Sequence, residues 1–223
     1  MILQPDQTLV FEGDSLTRRA MNPSADNWPL LRMNNWHRSY AELVEEWLFA
    51  HRPDLRLKAR HAAIGGSNIH DLHARYETQV KPHSPSWIIF TLGTNDCGII
   101  GLDVFEAELS RYLDTARRAS GSRFLYVGGF EAMPGLGEAE ALHLAEARPY
   151  YDAARRLVPA FGGLAPDFGP ALRAKAELHF SQSPFHSYYG DGLHFNALGN
   201  HVLAGLVLEA LGVFGAPQSS SAA

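Results

Sequence analysis

One cysteine, Cys97, stands alone in 223 residues, so no disulfide within the chain can brace the fold. No apolar run approaches the roughly 20 residues a membrane-spanning helix needs. The first nine residues lack the basic run and apolar core of a secretory signal, so the expected location is the cytoplasm. Basic residues are in the minority, 19 Lys and Arg against 24 Asp and Glu, leaving a formal net charge of -5. A protein that grips phosphate backbones wants a basic face, so no nucleic-acid partner is expected. The 11 histidines fall into no His-Glu-x-x-His or Cys-His cluster, so neither a metal nor another cofactor is expected. Internal repeats and long linkers are absent as well.

What is present is an ordinary globular composition, 46% hydrophobic and 19% charged, in a chain long enough to bury one substantial core. A single domain over residues 1–214 is expected, followed by a small polar tail at 215–223. Strand patterns occur at 8–12, 55–62, 87–92 and 124–127, with a short last strand at 164–167 where Pro166 suits an edge. Helical spacing marks 39–50, 69–80, 102–119, 138–158 with a break at Pro149, 171–178 and 197–211. Residues 20–36 have no clear period and read as a long surface loop, and 179–195 read as mostly loop. The run Trp87-Ile88-Ile89-Phe90-Thr91-Leu92 is continuously apolar apart from one threonine, as a central parallel strand covered on both faces should be. Alternating strands and helices predict a three-layer α/β/α sandwich around a parallel sheet.

Three strand ends run into polar or glycine turns: Gly13-Asp14-Ser15, Gly65-Gly66-Ser67 and Gly93-Thr94-Asn95-Asp96. In an open parallel sheet such turns share the C-terminal edge, where ligands bind. Acyl transfer needs a nucleophile, a base, a group that orients the base, and preorganised donors for the oxyanion. Ser15 can be the nucleophile. Asp191-Gly192-Leu193-His194 puts a carboxylate and an imidazole three residues apart, so one loop can carry both. Asp191 would hold one ring nitrogen and His194 would turn the other toward Ser15. The backbone N–H groups of Ser15 and Gly66 and the side-chain amide of Asn95 are the candidate oxyanion donors. Gly66, lacking a side chain, leaves room for a substrate at its amide. Each piece alone also reads as a helix cap or a plain turn. Asp14 and Asp96 are expected to brace these loops through backbone hydrogen bonds, and Cys97 to be a small buried residue.

Together, these blocks resemble the GDSL, or SGNH, hydrolases. Gly13-Asp14-Ser15-Leu16 is similar to the family's first block. Gly66, within Ala63-Ile64-Gly65-Gly66-Ser67, is similar to the second. Gly93-Thr94-Asn95-Asp96 matches the third and Asp191-Gly192-Leu193-His194 the fifth. The resemblance implies a flavodoxin-like sandwich with a five-stranded parallel sheet. It also implies a triad of Ser15, His194 and Asp191, with Ser15, Gly66 and Asn95 around the oxyanion. Phe195 departs from the pattern, since many members have proline there. The Gly-x-Ser-x-Gly elbow of the other common hydrolase fold is absent around Ser15.

Within the family, the opening Thr8 to Thr17 and the long loop at 20–36 resemble the intracellular esterases that remove acetyl groups from xylo-oligosaccharides. The expected function is a serine ester hydrolase that forms an acyl-enzyme and acts on small acetylated sugars. A lipid esterase, a lysophospholipase or an acyl thioesterase is the alternative among enzymes. A non-catalytic carbohydrate-binding protein on the same fold is the alternative outside them. Candidate substrate contacts are Asp14, Trp28, Trp36 and Tyr189, with Tyr188 beside the last, since aromatic faces stack on sugar rings. Met33 and Phe130 read as core or rim residues, with an acyl pocket as the alternative. The expected partner is the ester substrate, and a homo-oligomer would cover part of the 20–36 loop and narrow the entrance.

Overall fold

A computed structural model describes residues 2–18 and 38–214 of the chain. Four strands form one parallel sheet: β1 (Thr8–Glu12), β2 (Lys58–His61), β3 (Trp87–Phe90) and β4 (Arg123–Tyr126), in the order β2-β1-β3-β4. The register sets Glu12 of β1 opposite Phe90 of β3, so the turns leaving these two strands lie side by side. β3 is buried along its whole length, as its apolar run predicts.

The fifth strand expected at 164–167 is reduced to a single parallel bridge between Leu125 and Leu164. Leu164 donates to Phe124 O at 2.8 Å and accepts from Tyr126 N–H at 2.9 Å. The next donor on that side of the ladder would be residue 166, which is proline and has no N–H, so pairing stops there.

The described residues hold six α-helices in chain order: α1 (Tyr40–His51), α2 (Ile69–Arg75), α3 (Leu102–Ser120), α4 (Glu138–Ala160), α5 (Phe168–Gln182) and α6 (Ala197–Ala210). α2, α3 and α4 pack in succession as one layer, and α1, α6 and α5 as the other. Capping boxes open α1 at Ser39 with Glu42 and α2 at Asn68 with Asp71, fixing where each helix leaves its loop. α3 buries Phe105, Leu109, Tyr112, Leu113 and Ala116, the face its spacing marks.

Three helices differ from the expectation. α2 stops at Arg75, and a wider π turn covers Tyr76–Val80. α4 runs unbroken through Pro149 because buried side chains on both sides of it, Leu144, Ala147, Tyr151 and Ala154, hold the axis against the one lost hydrogen bond. α5 begins earlier and ends later than 171–178. Its Pro170 lies in the first turn, where a missing N–H costs nothing. After it, residues read as loop form a small antiparallel hairpin, β5 (Tyr189–Asp191) with β6 (His194–Phe195).

Under the sheet's C-terminal edge lies a buried ionic cluster. Arg75, at the end of α2, donates to Glu12 Oε1 at 3.2 Å, to Gly13 O at 2.8 Å and to Ser67 Oγ at 2.8 Å. Tyr112 of α3 donates to the other Glu12 oxygen. One guanidinium thus ties the turn after β1 to the turn before α2, using the planar fork that lysine lacks.

Burial pushes the Glu12 carboxyl from its ordinary 4.5 up to about 7, against the lowering pull of the Arg75 charge and of hydrogen bonds from Tyr112 and Arg75. Across that window the folded chain keeps a proton that the unfolded chain has released, so this group makes stability fall as pH rises. In Glu12→Gln, which cannot ionise, the thermal midpoint should change less between pH 4.5 and about 7 than in the wild type. Equal slopes in the two proteins would show that Glu12 is not the titrating group.

Candidate active site

The turn after β1 is shaped by its contact with Thr91, just past β3. Gly13 has φ +117°, and a Cβ there would meet Thr91 O at 2.3 Å, so only glycine fits. Asp14 follows, with its side chain 1% exposed. Its Oδ1 accepts from Leu16 N–H at 2.9 Å and from the Thr91 hydroxyl at 2.7 Å.

Thr91 has one hydroxyl proton, and Asp14 takes it. Thr17 must therefore donate to Thr91 across 2.9 Å, and Tyr40 must donate to Thr17 across 2.8 Å. A directed row of hydroxyls from α1 to Asp14 holds the turn, and Ser15 stands half-buried at its outer edge.

The imidazole arrives on the β5–β6 hairpin. Gly192 and Leu193 close it, and the register sets Asp191 opposite His194. Asn200 of α6 clamps the hairpin from below: Nδ2 donates to Phe195 O at 2.9 Å while Oδ1 accepts from Tyr40 N–H at 3.0 Å. Tyr40 therefore joins both loops, one through its hydroxyl and one through its backbone. Held in this way, His194 brings Nε2 to 2.8 Å from Ser15 Oγ. That distance allows direct proton transfer from hydroxyl to ring.

The remaining two turns close on the same spot. Gly66 has φ +79°, and a Cβ there would meet nothing within 4 Å, so the backbone conformation is what calls for glycine. The Asn95 amide donates to Ser67 O at 3.2 Å, which orients it and leaves its second N–H for another acceptor. Asp96 ties the two turns together by accepting from Ile69 N–H at 2.8 Å and Gly93 N–H at 3.0 Å. Burial pushes its carboxyl up to about 6, opposed by those two hydrogen bonds.

Ser15, Gly66, Asn95 and His194 line one cleft of about 620 Å³. Arg18 and Glu140 line it too, although no motif in the sequence marks them. Thr91, Tyr40 and Asn200 are likewise unmarked, since an isolated Thr, Tyr or Asn gives no sign of which loops it will join.

Asp14 lines the cleft, with its Oδ1 engaged by Leu16 and Thr91 and little of the residue exposed. Other candidates lie elsewhere. Tyr189 does not line the cleft: its hydroxyl donates to Glu131 O at 3.2 Å and its ring tilts on Phe195. Tyr188 is fully buried. Phe130 sits edge-on to Tyr151 and Phe195 in the core. Trp28, Trp36, Met33 and the side chain of Asp191 lie outside the described residues.

With this geometry in place, residues 11–202 match the sequence profile of the GDSL-like lipase/acylhydrolase family. The chain belongs to that family. Among curated proteins, no match is found. Solved structures share the fold at low identity. LAE5, an alpha/beta hydrolase enzyme from the metagenome of Lake Arreo, is 20% identical over 97% of this chain and all of its own, with a TM-score of 0.73. Axe2, an acetylxylan esterase from Geobacillus stearothermophilus, is 22% identical over 95% of this chain and 97% of its own, with a TM-score of 0.70. Catalytic mutants of Axe2 replace an aspartate, a serine and a histidine. Family membership makes the protein an acylhydrolase, in keeping with the open cleft around a serine and an imidazole.

The nearly isosteric Thr91→Val tests the hydroxyl row. It removes the donor to Asp14 and the acceptor used by Thr17 and by Asp14 N–H, which lie 2.9 and 3.3 Å away. Each buried group left without a partner costs about 1–3 kcal/mol, so urea unfolding should show a loss of about 3 kcal/mol or more. A loss within about 0.5 kcal/mol, typical of a surface change, would mean the turn is held by other contacts.

Proposed function

We propose that the protein hydrolyses carboxylic esters through an acyl-enzyme on Ser15, and that its substrates are small acetylated sugars. The observation that carries the first part is the 2.8 Å contact between Ser15 Oγ and His194 Nε2 at the floor of an open cleft. In the proposed reaction Nε2 takes the hydroxyl proton as Oγ attacks the ester carbonyl. Charge that develops on the carbonyl oxygen is met by the backbone N–H groups of Ser15 and Gly66 and by the free N–H of Asn95. His194 then returns the proton to the departing alcohol, and the same steps with water release the acid. Asp191, opposite His194 in the hairpin, has the role of keeping the imidazole in the tautomer whose Nε2 can accept.

Support for the sugar part is narrower. The acetylxylan esterase Axe2 shares the fold over nearly the whole chain, and its catalytic mutants change the same three residue types proposed here. The segment 20–36, which carries Trp28 and Trp36, directly follows the nucleophile turn in sequence.

Ser15→Ala should lower hydrolysis of para-nitrophenyl acetate by on the order of 10⁴-fold or more, with an unchanged circular dichroism spectrum. An active Ser15→Ala protein would sink the nucleophile assignment. The sugar reading is checked separately by a substrate panel. Acetylated xylo-oligosaccharides should turn over with higher kcat/KM than medium-chain esters or acyl thioesters. The reverse order would leave the esterase and move its substrates to lipids or thioesters.

A further inference from the structure

A second cluster of reactive side chains lies where α4 meets the Asn95 turn and takes no part in the reaction described above. Cys97 sits in the turn that carries Asn95, half-buried, with its N–H bonded to Gly93 O at 3.2 Å. His143 and Glu146 lie three residues apart on α4 and so share one face of that helix. A sulfur, a ring nitrogen and a carboxylate oxygen from these three residues all lie within 4.8 Å of one another.

One detail goes beyond proximity. His143 Nε2 lies 3.0 Å from Thr94 O. A carbonyl can only accept, so Nε2 carries the proton and Nδ1 presents its lone pair. Fixing a ligand imidazole through a backbone carbonyl on its other nitrogen is the arrangement that metal sites use to hold ring and tautomer. Glu146 is the exposed member of the three. One thiolate, one imidazole and one carboxylate suit a borderline-soft divalent ion, with a fourth position left to water.

We propose that Cys97, His143 and Glu146 form a zinc-type cation site that fastens α4 to the Asn95 turn. On binding, the Cys97 S–H releases its proton to solvent as the metal–sulfur bond forms, and the ion sheds water as the imidazole and the carboxylate coordinate. No oxidation state changes. Ligand-to-metal distances of about 2.0–2.3 Å would tie α4 directly to the Asn95 turn, giving the ion a handle on an amide proposed to face the oxyanion.

The test does not depend on hydrolysis, so it stands or falls apart from the proposed reaction. Titrating the full chain with Co²⁺ should produce the near-ultraviolet absorption of a cobalt–thiolate bond, and Cys97→Ser should lack it. Calorimetry with Zn²⁺ should give one site per chain, weakened by about tenfold or more in both Cys97→Ser and His143→Ala. The same affinity should persist in His201→Ala, which changes an exposed histidine on α6. Absence of the thiolate band in the wild type would overturn the proposal. So would Zn²⁺ binding that both site variants retain at full strength, since the ion would then be held by other histidines. If a variant unfolds, the wild-type cobalt spectrum still decides.

Discussion

The structure turns on the contact between the turn after β1 and Thr91 after β3. Parallel pairing sets Glu12 opposite Phe90, and from there the two exits are pressed together so closely that no Cβ fits on Gly13. Thr91 fills both of its acceptor positions and its one donor position within that contact. The row of hydroxyls ends on a carboxylate, which strengthens each bond along it. Because Tyr40 also binds Asn200, the same few ångströms set the height of Ser15 and the reach of His194.

Around that contact three carboxyls are buried in or next to the turns: Glu12, Asp14 and Asp96. Burial raises all three, and each is offset by donors drawn from a different loop. Stability alone would be served as well by apolar side chains. What the carboxyls add is direction. Each accepts from at least one group that lies apart from it in sequence, so the loops can pack in one arrangement only. Arg75 works in the same sense from the cationic side, joining β1 to the turn that carries Gly66.

Much of this was legible in the sequence where the pattern is local. The apolar run at 87–92 became β3, and the one-sided spacing at 102–119 became α3. The glycine and polar turns at three strand ends became three walls of one cleft, because parallel strands share a direction. Reading failed where a local signal had two outcomes. Pro149 reads as a helix break, yet packing on either side overrides it. Pro166 reads as an edge strand, yet its missing N–H leaves one bridge. The β5–β6 pair is short and depends on Asn200 and Asn196 beneath it, which no period of residues 179–195 reveals.

By itself, then, the sequence determined the layers, the strand ends and the residue types that gather there, since hydrophobic period and turn chemistry act over a few neighbours. Only the tertiary structure decided that Tyr189 packs on Phe195 outside the cleft, and that Ser15 and His194 meet at 2.8 Å. It alone brought Thr91, Tyr40 and Arg75 under the site, and Cys97 against α4. Such meetings join groups far apart in the chain. Their distances are set by how whole strands and helices pack, which no short stretch of residues encodes.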